Sequence, residues 1–341
     1  MPPAVIVYII RRLVVAILLL IVVCLATFCI FFVVPKLAGQ TTDQLAAQYV
    51  GKNPNPATIH GIEVKLGLNK PIIVQFLDFL KGIVAGAHYD SGTDTTYCPA
   101  PCFGYSFRSD LAVWPQMTSR IPVTLSLALG AAVVWLFAGV ATGVLSALRK
   151  GSIWDRGAMS IALAGVSLPI FFTGGIALLL FRDTIPLFPG AGTYVPLTQN
   201  PLQWFEDLIL PWVTLAFLYA ALYARITRAG MLETMNEDFI RTARAKGLVE
   251  RKVVLKHGLR ASLTPILTIF GLDLGLLVGG AVLTETVFSL PGLGYFAYQA
   301  IQNNDLPEIM GVTLIAAFFV IIANLIVDVL YAVVDPRVRY A

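Results

Sequence analysis

The sequence predicts an all-α membrane protein with six transmembrane helices and a small external subdomain between the first two. Three observations carry this. Of 341 residues, 57% are apolar and only 13% charged, where an average soluble domain carries roughly 25% charged residues; the mean hydropathy is +0.78. Six long apolar runs alternate with polar segments, and each can cross a hydrocarbon layer of about 30 Å. Lys and Arg gather in alternate polar segments, as topology signals do. The same figures exclude a soluble enzyme, a disordered chain and a coiled coil. A net charge of +4 is too small to call for a nucleic-acid partner, and four cysteines, two of them inside an apolar run, do not make a disulfide scaffold.

The runs are Leu13–Val34, Ile121–Leu148, Gly157–Phe181, Ile209–Ala224, Ala261–Glu285 and Glu308–Val334. The first, at ~1.5 Å per residue, is about 33 Å long. Arg11 and Arg12 precede it, but it exceeds the apolar region of a signal peptide and no small-residue cleavage site follows, so it reads as an uncleaved span. The fourth is short and is expected to continue through Tyr223 and Ile226 into the interface.

One side of the membrane carries sixteen Lys and Arg, in the N-terminus, 149–156, 225–260 and the tail; the other carries eight over more than twice the length. The positive-inside rule therefore places both termini in the cytoplasm. The division is 1–34 for the N-terminus and first span, 35–120 for the external subdomain, 121–334 for the core with a cytoplasmic loop at 225–260, and 335–341 for the tail. Within the external segment, helices are expected around Thr42–Val50 and Pro71–Ala85. Cys98 and Cys102, as CPAPC, are candidates for a local disulfide in an oxidising compartment, with metal binding as the rival. Cys24 and Cys29 read as packing residues.

The absent motifs narrow the chemistry. No phosphate loop, zinc-protease helix or nucleophile elbow occurs, and the three histidines His60, His88 and His257 are scattered. Intramembrane acids are costly and mark cavities or partners. Asp273, midway along the fifth run, could line a path, meet an amine or bond a neighbouring helix, whereas Asp328, one turn after Asn324, suits a structural face. Gly271, Gly275 and Gly279 share one helical face and Gly139 and Gly143 another, the spacing of close helix packing or of a dimer seam.

Residues 225–260 read as helix, turn, helix. Asn236 is placed to cap a short helix with Glu237 and Asp238 in its first turn, and Gly247 to close it in a left-handed conformation. Phe239, Ile240, Ala243 and Gly247 are expected on one side, as a face for a groove on another protein. The basic Arg241, Arg244 and Lys246 suit the other reading, an amphipathic helix held by lipid headgroups.

DFIRTARAKGL followed by HGLRASLTPI resembles the cytoplasmic loop of binding-protein-dependent ABC importer permeases. Tyr8–Leu13, Leu66–Pro71, Arg120–Leu125, Ser167–Phe172, Glu285–Gly294 and Asp335–Arg339 are similar to dipeptide and oligopeptide permeases, in particular the member of the pair with a long first external loop. Val33–Gln40 and the 88–113 insert depart from the family's pattern. The resemblance implies the type I ABC importer permease fold in a bacterial or archaeal cell membrane. It implies a coupling helix in which Phe239, Ile240, Ala243, Ala245, Gly247 and Leu248 meet an ATPase. It also implies a second permease, two ATP-binding subunits or a fused pair, and an external substrate-binding protein, with ATP and Mg at the partner subunits and no cofactor on this chain. Gly271, Asp273, Gly275 and Gly279 would pack or line the path, and Pro291, Gly292 and Gly294 would form its external mouth. Peptides are the substrate implied. A proton-coupled secondary carrier using Asp273 is the alternative, and a receptor or scaffold without flux a third.

Overall fold

The computed structural model describes residues 3–50, 55–90 and 95–334. The tail 335–341, with its Asp335–Arg339 motif, and the side chain of Asp328 lie outside the described residues. Helix α1 (Pro3–Phe28) continues through a π-helical turn, Cys29–Val33, into α2 (Val34–Leu37). The 35–120 segment then forms α3 (Thr42–Val50), α4 (Pro56–Lys65) and α5 (Ile72–Ala85). Two small antiparallel hairpins follow, β1 (Ala87–Asp90) with β2 (Thr95–Cys98) and β3 (Tyr105–Ser106) with β4 (Leu111–Ala112).

The remaining helices are α6 (Val113–Leu148), α7 (Ile153–Ser167), α8 (Ile170–Leu178), α9 (Pro201–Thr234), α10 (Asp238–Ala245), α11 (Glu250–Lys252), α12 (Arg260–Val278), α13 (Val282–Val287), α14 (Leu293–Asn303) and α15 (Leu306–Val334).

Local chemistry sets many of these ends. Thr41 and Gln44 exchange side chain to backbone bonds across the first turn of α3 (3.3 and 3.1 Å), a capping box. Asn55 and Asn200 cap α4 and α9, each followed by a proline in the first turn, where a missing N–H costs nothing.

Four helices are long and apolar enough to cross a membrane, and two bent pairs raise the number to six among the described residues. Two predicted spans therefore need correcting. The run Gly157–Phe181 is not one rod: α7 and α8 meet at 103°. Leu168 is extended before Pro169, because a residue preceding proline is driven out of the helical region. The run Ala261–Glu285 ends as a helix at Val278. Gly280 has φ +133°, and a Cβ there would lie 3.2 Å from the Cα of Gly294, so two backbones meet where only glycine fits.

The chain divides into two compact units. One comprises residues up to Pro122, Val278–Val282 and those from Pro291 onward. Its core joins Phe28 and Phe32 of the first span to Leu45, Ala46 and Tyr49 of α3, Ile62 of α4 and Met310 and Leu314 of α15. Cys98 and Cys102 are joined in a disulfide within it. Ser106 bonds the carboxylate of Asp305, which also accepts from the Glu308 N–H at 3.2 Å and so caps α15.

The other unit, Val123–Leu277 with Leu283–Leu290, is built around α9. A Cβ at Gly139 would fall 2.6 Å from that of Tyr223, one at Gly143 2.6 Å from the Ala224 carbonyl oxygen, and one at Gly165 2.9 Å from that of Phe217. Gly130 lies under the Trp212 ring, whose Nε1 donates to the Ser126 carbonyl at 3.0 Å. Gly139 and Gly143 thus serve packing within the chain. A strict four-residue stripe on the fifth span is cut short, since Gly279 lies beyond the last residue of α12.

Candidate functional site

The loop at 225–260 is the first candidate. Glu237, extended at φ −68° and ψ 151°, precedes α10 without a side-chain cap. Asn236 is not the cap: its Nδ2 donates back to the Leu232 carbonyl at 2.8 Å. At the other end Gly247 adopts φ +73°. Its N–H bonds the Arg244 carbonyl at 2.9 Å and that of Leu248 the Ala243 carbonyl at 3.4 Å, the two bonds of a Schellman closure. Arg244 holds Glu250 through two hydrogen bonds, 2.7 and 3.2 Å.

This geometry divides the residues expected on one docking face. Ile240 and Ala243 are buried against Val253, with Met235 and Leu248 packed beside them. They form the loop's own core, because an eight-residue helix with a strong apolar side must cover that side locally. Phe239, Ala245 and Gly247 remain exposed, so the surface available to a partner is theirs.

A polar lock missing from the sequence reading sits at the base of the same unit. Asp155 is 4% exposed. It accepts Arg228 Nε at 2.7 Å and Nη2 at 2.8 Å, the Gly151 N–H at 2.8 Å and the Ser146 hydroxyl. The end of α6, the start of α7 and the later part of α9 are thereby tied at one carboxylate, where the 225–260 segment begins. The only sequence signal was an Asp beside the Ser152 helix cap and an Arg a turn into 225–260.

Asp273 is half-buried and accepts the Tyr223 hydroxyl at 2.8 Å. Around that pair Trp135 stacks on Tyr219 at 4.8 Å and leans on Tyr223 and Phe270 at 6.3 and 6.0 Å. Gly271 and Gly275 are buried on the same helix. Of the proposed external mouth, Pro291 is exposed, whereas Gly292 and Gly294 are buried; Gly294 is used for the close approach to Gly280. Glu285 is fully buried and accepts the Thr124 hydroxyl at 2.8 Å. No cluster of metal-ligating side chains occurs among the described residues.

Comparison with known proteins gives these features a context. The family described as the binding-protein-dependent transport system inner membrane component matches residues 139–340, and its N-terminal component matches residues 5–128. An inferred peptide transport system permease protein of Brucella abortus is 41% identical over 290 residues, 85% of this chain and 87% of that protein. The dipeptide transport system permease protein of Escherichia coli K12 is 37% identical over 298 residues, 81% of this chain and 84% of that protein. Among solved structures, a chain from inward-facing conformations of the MetNI methionine ABC transporter matches with a TM-score of 0.52 at 20% identity. That match covers 65% of this chain and 97% of that one, a likeness of fold.

Proposed function

The chain belongs to the family of binding-protein-dependent transport system inner membrane components, and on that premise we propose that it is a permease subunit of an ATP-driven importer of short peptides. The peptide class rests on the names of the relatives, which are peptide and dipeptide permeases. A second permease completes the path, two ATP-binding subunits or a fused pair supply the energy with ATP and Mg, and an external binding protein delivers the peptide. Both termini face the cytoplasm, where the Lys and Arg are concentrated.

The observation that carries the mechanism is the self-contained form of α10. Its core residues Ile240, Ala243 and Val253 fix it to the start of the fifth span, and the closure at Gly247 stops it sharply. A push on exposed Phe239 therefore passes to the span as rigid-body motion, the kind of movement from which alternating access is built. The proton-driven alternative is not favoured: the chain's family is that of the ATP-driven class, and Asp273 already has a partner in Tyr223.

The test is Phe239→Asp in the assembled complex. A desolvated charge at the docking face lowers peptide uptake by at least about tenfold, with the ATPase no longer responding to the loaded binding protein. Wild-type uptake by a correctly assembled Phe239→Asp complex would overturn the coupling role. The peptide class is tested separately, by calorimetry of the partner binding protein with di- and tripeptides; no peptide binding there would remove that assignment alone.

A further inference from the structure

Four aromatic side chains gather near one intramembrane carboxylate, all within the unit that contains Val123–Leu277. Gly139 admits α9 against α6 at Tyr223. Trp135, one turn earlier on the same face of α6, therefore meets both Tyr219 and Tyr223, themselves one turn apart on α9. Phe270, which also reaches Trp135, stands one turn before Asp273 on α12. Both lie between Pro265 and Val278, the arm of the bent fifth span that follows its break.

The cluster has a sealed side and an open one. Trp135 and Tyr223 are 0% and 1% exposed, and the Tyr223 hydroxyl donates to Asp273 Oδ2 at 2.8 Å. Asp273, Tyr219 and Phe270 are only half-buried. Asp273 Oδ1 and the Tyr219 hydroxyl have no hydrogen-bond partner among the described residues, and neither atom is closed off. Tyr219 stands near enough to Asp273 to feel its charge. No Lys, Arg or His among the described residues is paired with this carboxylate.

The bond between α9 and α12 uses one carboxylate oxygen and leaves the other over. An uncompensated carboxylate facing hydrocarbon is costly, so the open side calls for a counter-charge from outside the described residues. A carboxylate flanked by aromatic rings selects a cation. An ammonium group brings three donors, enough for Oδ1 and the Tyr219 hydroxyl together. Tyr223, held on the sealed side, orients the carboxylate before a guest arrives.

We propose that Asp273, Tyr219 and Phe270 form an intramembrane site for the α-ammonium group of a peptide in transit. The inference rests on the peptide-permease reading, which supplies a substrate carrying that group. A lysine of the second permease offers the same chemistry; a rim left half open suits a group that enters and leaves.

The experiment uses the complete transporter, purified in detergent without its binding protein so that delivery plays no part. It is titrated with dialanine and with N-acetyldialanine, in which an amide replaces the ammonium. Wild type is expected to bind dialanine at least about tenfold more tightly than the acetylated peptide. Asp273→Asn, which keeps an acceptor for Tyr223, is expected to bind dialanine as weakly as N-acetyldialanine. Phe270→Leu should weaken dialanine about threefold and leave N-acetyldialanine unchanged, and the Tm of each complex without peptide checks its folding. Equal binding of the two peptides by wild type, or undiminished dialanine binding by Asp273→Asn, would sink the proposal. Loss of the second permease from the Asp273→Asn complex, with dialanine binding intact, would assign the carboxylate to a subunit seam instead. Binding of neither peptide by wild type also removes the site. Uptake of dialanine with the binding protein restored then shows that the site alone has failed, and absence of uptake that the peptide-permease reading has failed with it.

Discussion

Helices α9 and α1 are both apolar spans, yet they are dressed differently by the rest of the chain. Of the residues in its apolar stretch, α9 has 61% buried, whereas the first span has 17%. The difference lies in what faces them. Glycines at 130, 139 and 143 of α6 and 165 of α7 bring neighbouring helices against α9 at distances no Cβ would permit. The first span instead displays Ile17, Leu18 and Val22 to its surroundings. Hydrophobicity sends a segment into lipid, and in lipid it gives no further reason for helices to meet; small residues and polar contacts decide what packs.

The comparison can be broken by substitution, and the largest effect is expected at Gly143. A Cβ there would meet that of Thr227 at 2.5 Å, so Gly143→Leu should cost upwards of about 3 kcal/mol and abolish a folded complex in size-exclusion chromatography. Gly175→Leu, where a Cβ meets nothing within 4 Å, should leave it intact. Next comes the polar lock. Arg228→Met strands a buried carboxylate, and the Tm of the complex should fall by more than it does for Lys70→Met, which opens the solvent-exposed pair with Asp78. Trp212→Phe removes the bond to Ser126 and should cost about 1 kcal/mol, read as a modest drop in Tm.

The smallest effect belongs to the first span. Leu18→Ala on its exposed face should stay within about 0.5 kcal/mol. A larger loss accompanied by poorer co-purification of the second permease would sharpen the contrast, by showing that this surface is a subunit seam. Equal sensitivity of α9 and the first span to substitution would break it.

Much of this was legible in the chain. Apolar length located the four long apolar helices and the two bent pairs, and Thr42–Val50 is a helix with the bounds expected. Gly247 adopts the left-handed turn its position called for. What escaped were features set by residues distant in sequence or by a single peptide. The bend between α7 and α8 hinges on the Leu168–Pro169 step inside a run of otherwise uniform hydropathy. Helix α4 lacks a marked apolar side and gives no periodic signal. Asp155 and Arg228 lie 73 residues apart, and no local pattern announces that they meet. Burial of Ile240 and Ala243 was misread for a related reason: an apolar helix face shows that something covers it, and here the cover is Val253 of the same loop.

The closure at Gly247 has one more consequence. Eight-residue helices are too short to persist by themselves in water, yet α10 is held at its end and underside by its own chain. Under the proposed coupling role, the docking element would exist before any ATP-binding subunit arrives, and association would not have to meet an ordering entropy. Subunits should engage this loop as a key enters a cut lock, quickly and with little heat-capacity change beyond the buried contact itself.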